Sequence, residues 1–162
     1  MTIKVGDKVP AGKVKYMGAD GKPAELSTDD LFKGKKVVLF GLPGAFTPTC
    51  SAKHVPGFVQ QAGALKAKGV ATIACISVND AFVMGAWGKD QGSGDKVMML
   101  ADGSADFTKA LGLEQDLSAA GLGVRSKRYA MIVDNGTVKW MGIEDAPGKL
   151  EQSGADQVLA HL

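Results

Sequence analysis

The feature that most narrows the fold is a short, unbroken apolar run, Val37–Leu42, closed by Lys35-Lys36 on one side and Pro43-Gly44 on the other. It is far too short to cross a membrane. It also lacks the polar alternation of a strand with one wet face, so it reads as a strand buried on both faces. Val70–Val78 repeats the pattern, and Val97–Leu100 is a third, shorter copy. Between the first two lies a helical stretch from Pro48 to Lys68, with Val55, Phe58, Ala62 and Leu65 on one side. Pro56 should kink it and Gly69 should end it. Buried strands alternating with helices predict an α/β chain whose central sheet is covered on both faces.

The remaining elements fill in around that core. Lys13–Met17 and Ala24–Leu26 flank a turn-rich stretch and predict an N-terminal hairpin, followed by a helical turn over Ser27–Phe32. Asn79 or Asp80 caps the next helix, whose Phe82, Ala86, Val83 and Trp87 are expected to face inward. Gln91–Lys96 reads as a loop. Asp102-Gly103-Ser104 opens a short helix carrying Phe107, Ala110 and Leu111, and Leu117–Arg125 reads as a second loop. Arg128–Asp134 and Thr137–Ile143 flank Asn135-Gly136, the strongest hairpin signal in the chain. Ala155, Val158, Leu159 and Leu162 mark a closing amphipathic helix. A β–α–β unit followed by β–β–α is the thioredoxin plan, here with extensions, over a single domain spanning 1–162. The expected fold is thus thioredoxin-like, with an N-terminal β-hairpin extension and a central mixed sheet flanked by helices.

Composition excludes several classes. The net charge of +2, with both signs interspersed, leaves no nucleic-acid footprint. No apolar stretch is long enough for a membrane span. The N-terminal Met1–Asp7 has neither a signal-like apolar core nor transit-peptide character, which predicts the cytosol. No zinc-ligand spacing, Walker motif or dinucleotide fingerprint occurs, so no cofactor or metal is expected. There are two cysteines, too few for a disulfide scaffold. Each is either a buried packing residue or a reactive thiol.

For Cys50 the neighbours argue for reactivity. Gly41–Cys50 carries the chain from the first core strand into a helix, and Pro48 suits the first helical position. Thr47 is then the N-cap and Cys50 the third helical residue. Its sulfur lies among unpaired N–H groups at the positive end of the helix dipole, which favours the nucleophilic thiolate. The surrounding Thr, Pro, Ser and Lys make a polar helix start, not a core stripe. His54 lies one helical turn on, where it can pair with Cys50 or stand as a polar residue beside the pocket. Arg125 and Arg128 are equal candidates for a nearby cation. Cys75, in mid-strand, reads first as buried. His161 is expected to be exposed, and Trp87 and Trp140 to be core or interface aromatics.

Pro43-Gly44-Ala45-Phe46-Thr47-Pro48-Thr49-Cys50, continuing Ser51–Phe58, resembles the peroxidatic-cysteine motif of the type II, peroxiredoxin-5-like peroxiredoxins. Cys75–Asp80, Leu100–Ser104, Gly121–Gly123 and Ser126–Ala130 extend the likeness almost end to end. The resemblance implies a thiol-dependent peroxidase that reduces hydrogen peroxide and alkyl hydroperoxides through a Cys50 sulfenic acid. Thr47 would orient the peroxide, Pro43 would shield the site from water, and Arg128 would stabilise the thiolate and the charge moving onto the leaving oxygen. Cys75 matches a possible resolving cysteine of plant-like members. The animal members instead place one near the C-terminus, where Asp145–Gln152 has none. The implied partners are a hydroperoxide, a thiol reductant (glutathione with glutaredoxin, or thioredoxin) and a second copy of the chain in a homodimer whose contact face borders Cys50. A thiol–disulfide oxidoreductase is the rival reading, but the Thr47-Pro48-Thr49-Cys50 turn lacks the first cysteine of a C-x-x-C pair. A redox sensor that hands oxidation to a partner protein is the other.

Overall fold

The apolar runs take the centre of the molecule because no other place offers them a neighbour on each edge and a layer on each face. The computed structural model describes residues 1–162. It has nine strands: β1 (Lys13–Met17), β2 (Pro23–Ser27), β3 (Lys36–Leu42), β4 (Thr72–Ser77), β5 (Met98–Ala101), β6 (Glu114–Asp116), β7 (Val124–Ser126), β8 (Tyr129–Asp134) and β9 (Thr137–Ile143). Five α-helices accompany them: α1 (Thr28–Phe32), α2 (Val55–Ala67), α3 (Ala81–Gln91), α4 (Asp106–Leu111) and α5 (Ala155–Ala160). Seven strands form one mixed sheet in the order β2-β1-β5-β4-β3-β8-β9. The β3/β4 and β4/β5 pairs are parallel and the rest antiparallel. No helix is long and apolar enough to cross a membrane.

Strand alternation sorts the core into two layers. Val38, Phe40 and Leu42 of β3, with Ile73 and Cys75 of β4, point towards α2, α3 and α5. Val37 and Leu39, with Ala74 and Ile76, point towards α1 and α4. The expected inner face of α2 is the observed one: Val55, Phe58, Ala62 and Leu65 are all buried.

Three local expectations need correction. On α3, Phe82 and Ala86 face outward, and Ala81, Met84, Trp87 and Gly88 face the core. Glycine sets that phase. A Cβ on Gly85 would come within 2.9 Å of Met17, and one on Gly88 within 2.9 Å of Met99, so at these two positions the helix lies too close to the sheet for a side chain, while Met84 and Trp87 fill the rest of the face. Ala110 of α4 is likewise exposed, while Phe107, Thr108 and Leu111 are buried. The stretch expected to be a loop, Leu117–Arg125, contains a 3₁₀ turn over Ser118–Ala120 and leads into β7, which pairs with β6 so that Arg125 faces Gln115.

The helix after β3 departs from regular geometry where Pro56 demands it. Proline has no N–H, and its ring would strike the carbonyl four residues back, that of Ala52. The chain widens instead. Cys50–His54 forms a single π turn in which the Val55 N–H donates to the Cys50 carbonyl, five residues back, before α2 continues to Ala67. Pro48 and Thr49 begin the helix as expected, and Gly69 ends it with φ +92°.

Candidate active site

The turn between β3 and the π turn is built on close approach. A Cβ on Gly44 would lie 2.5 Å from the Arg125 guanidinium and 3.3 Å from the Thr47 methyl, so a side chain there would push Arg125 off the turn. Phe46 adopts φ +62°, a left-handed conformation that costs a non-glycine residue on the order of 1 kcal/mol. Three hydrogen bonds hold the turn. Thr47 Oγ1 donates to the Gly44 carbonyl at 2.7 Å, Ala45 N–H to Asn79 Oδ1 at 2.9 Å, and Arg125 Nη1 to the Pro43 carbonyl at 3.2 Å. Asn79 is therefore a brace for this turn, and Asp80 is the cap of α3. Thr47 spends its hydroxyl on the turn, not on a helix N–H.

Cys50 follows two residues into the helix, and its burial differs from the expectation. Its neighbours in sequence are polar, yet the residue has no exposed surface and belongs to the inner apolar layer. Arg128, one of the two candidate cations, stands immediately before β8. It is 2% exposed, and its guanidinium spreads over three partners. Nη2 donates to Cys50 Sγ at 3.0 Å, Nη1 to His54 Nδ1 at 2.9 Å, and Nε to the Pro147 carbonyl at 3.0 Å. Arg125 reaches Pro43 and Leu122 but not the sulfur. The structure thus separates the two arginines.

The charge balance of this cluster decides its chemistry. A buried ion needs a counter-ion, because leaving it unpaired costs several kcal/mol. The three ion pairs of the chain, Lys4–Asp7, Lys13–Glu25 and Lys15–Glu25, are exposed and none involves Arg128. His54 Nδ1 accepts from the guanidinium, so the ring is neutral and its Nε2–H donates to the Ser153 carbonyl at 2.9 Å. Burial, and secondarily the adjacent Arg128 charge, lower the His54 pKa from 6.5 to about 3. His54 is packed against the rings of Phe40 and Phe58, at 4.9 and 5.6 Å between centroids. Of the three groups that the guanidinium touches, the Cys50 sulfur is the one whose chemistry allows a negative charge. His54 does not pair with Cys50 as a base; it holds Arg128.

Cys75 lies on β4 beside Phe40 of β3, in the same core layer as Cys50. Both thiols are free and buried. Burial pushes the Cys75 thiol well above its ordinary range; the Cys50 charge adds to this and Arg128 partly offsets it. Trp87, also buried, donates from Nε1 to Ser51 Oγ at 3.1 Å and so fixes the residue after Cys50. No group of three or more His, Cys, Asp or Glu side chains is placed to hold a metal ion.

The chain is also similar to known proteins over nearly its whole length. The Redoxin family matches residues 4–159. The chain belongs to that family, as a peroxiredoxin. Peroxiredoxin-2E, chloroplastic, of Arabidopsis thaliana is 51% identical over 99% of this chain and 70% of its own. Peroxiredoxin-2C of Oryza sativa subsp. japonica is 51% identical over 99% of this chain and 98% of its own. The crystal structure of reduced Prx3 in complex with hydrogen peroxide from Vibrio vulnificus superposes with a TM-score of 0.92, at 51% identity over 98% of each chain. Peroxiredoxins are thiol-dependent peroxidases, and this peroxiredoxin has the thioredoxin-like mixed sheet of its relatives.

Proposed function

We propose that this peroxiredoxin reduces hydrogen peroxide and alkyl hydroperoxides at Cys50, as a homodimer in a reducing compartment such as the cytosol. The observation that carries the assignment is the buried Arg128 guanidinium, 3.0 Å from the Cys50 sulfur and paired with no carboxylate. The thiolate attacks the distal peroxide oxygen. An S–O bond forms as the O–O bond breaks, and the leaving oxygen takes the electron pair and a proton to depart as water or alcohol. Negative charge therefore moves from sulfur to oxygen within reach of Arg128 and the free N–H groups of the first helical turn, which stabilise it without reorganising. Thr47, beside that turn, orients the peroxide, and Pro43 excludes bulk water. A thiol reductant, glutathione with glutaredoxin or thioredoxin, then returns the sulfenic acid to thiol. The homodimer reading rests on Phe46 and Phe82, 55% and 64% exposed. The Ala45–Asn79 hydrogen bond ties the Phe46 turn to the start of the helix that carries Phe82, so both aromatics flank the site. The test is Cys50→Ser, assayed for thiol-supported peroxide consumption. Loss of turnover in a variant whose circular dichroism is that of the parent is expected; retained turnover would place the chemistry elsewhere.

A further inference from the structure

The segment after β9 folds over Arg128, and one carboxylate organises it. Glu144 is 7% exposed and has no cationic partner; its oxygens instead accept from the backbone of the segment that follows. Glu151 N–H donates to both oxygens, at 3.0 and 3.1 Å, Gln152 N–H at 2.7 Å and Ser153 N–H at 2.7 Å. Ser153 Oγ adds a fifth bond at 2.6 Å. Burial alone would raise the Glu144 pKa, but the Ser153 hydroxyl and these N–H groups outweigh it and hold the group ionised. Successive N–H groups converging on an anion form a nest, here around the protein's own carboxylate. The segment is pressed onto β9 as well, since a Cβ on Gly142 would collide with the Gln152 carbonyl.

The nest turns the segment's carbonyls towards the site. Ser153 offers its carbonyl to His54, Pro147 to Arg128 Nε, and Gly148 to Thr49 Oγ1 at 3.2 Å. The circuit closes on itself, because Glu144 N–H donates to the Arg128 carbonyl at 2.9 Å. Arg128 is thus held at its backbone by Glu144 and at its guanidinium by His54, whose other nitrogen is held by the nest. We propose that Glu144 is a positioning residue for peroxide reduction, aiming Arg128 at the Cys50 sulfur through Ser153 and His54. This rests on the functional reading above but adds a residue that never touches sulfur or substrate.

The test uses the full chain with Glu144→Gln, His54→Gln and the double variant, in a double-mutant cycle on the rate of Cys50 oxidation by hydrogen peroxide. Glutamine keeps the shape but turns an amide donor towards N–H donors, so the nest opens. Each single change should slow the reaction about tenfold, the worth of one misaligned hydrogen bond in the transition state. The double variant should be no slower than the slower single. Independent effects would multiply to about a hundredfold, and that result overturns the proposal. The second readout is the His54 ring by nuclear magnetic resonance, on reduced protein without peroxide. Its titration, at about 3 in the parent, should move towards 6.5 in Glu144→Gln as the enclosure is lost, because burial is the largest cause of the low value and outweighs the upward pull of the Ser153 carbonyl. A merely structural carboxylate would leave it in place, which also overturns the proposal. Ser153→Ala, which deletes one donor and keeps the charge, should show both effects more weakly and decides the matter if Glu144→Gln fails to fold. A parent chain inert to peroxide would overturn the functional reading instead, and the His54 readout would still decide the network.

Discussion

Acidification should unfold this peroxiredoxin through His54 before its carboxylates titrate. The folded-state pKa of His54 is about 3 against an ordinary 6.5. Below 6.5 the unfolded chain therefore takes up a proton that the folded chain refuses. The unfolded state binds more protons, so stability rises with pH in this window and is lost as pH falls. The slope is about 1.4 kcal/mol per pH unit for one proton. The slope reaches this value only about a unit below 6.5, so between pH 6.5 and about 4.5 the loss comes to about 2 kcal/mol, which lowers Tm by roughly 4–8 °C in a chain of this size. Glu144 acts in the same direction, but its pKa lies below 4.5, so its contribution is lost only further into acid. The assay is thermal unfolding followed by circular dichroism across that range, for the parent and for His54→Gln. The variant should be less stable at neutral pH, having lost two buried hydrogen bonds, and its Tm should be nearly flat over the window. A parent Tm that does not fall, or an equal fall in both proteins, would refute the assignment of a neutral, enclosed His54.

The two arginines should separate in the rate of Cys50 oxidation. Arg128→Gln should slow it about 10²–10³-fold, the usual cost of removing a charge-stabilising donor. Arg128→Lys should recover little, since a single ammonium cannot serve Cys50, His54 and Pro147 together. Arg125→Gln reaches the site only by loosening Pro43 and should cost less; equal losses would undo the distinction. For Cys75, intact mass after one equivalent of peroxide without reductant should show an added oxygen and not the loss of two hydrogens, because both thiols are free and buried and Cys75 is held in a central strand. Rapid and complete loss of two hydrogens would make this an intramolecular two-cysteine enzyme.

The sheet was legible in the sequence because its central strands are buried on both faces, a condition that leaves no polar residue in Val37–Leu42. Helix faces were legible only where large apolar residues repeat, as in α2. On α3 the repeat misleads, since Phe82 looks like core and Gly85 and Gly88 look like nothing. Contact distance reverses the reading: at Gly85 and Gly88 the helix lies against Met17 and Met99, Met84 and Trp87 fill the rest of the inner face, and the phenyl group is turned out. The β6–β7 pair was hidden because three-residue strands carry too little pattern to stand out from glycine-rich surroundings.

The site divides along the same line between local and distant causes. Thr47-Pro48-Thr49-Cys50 places a sulfur at a helix start within four residues, so that part could be read directly. Arg128 could be singled out only by resemblance. Its burial is produced by Glu144–Ser153, a segment whose own residues look like a solvated loop. His54 carries one local signal, its place two residues before Pro56. That proline forces the π turn, in which five residues, not four, separate hydrogen-bonded partners. Cys50 and His54 are brought to the same guanidinium on the wider turn, the sulfur on Nη2 and the imidazole on Nη1. A proline that appears only to kink the helix therefore widens the turn that lets one buried arginine serve both groups.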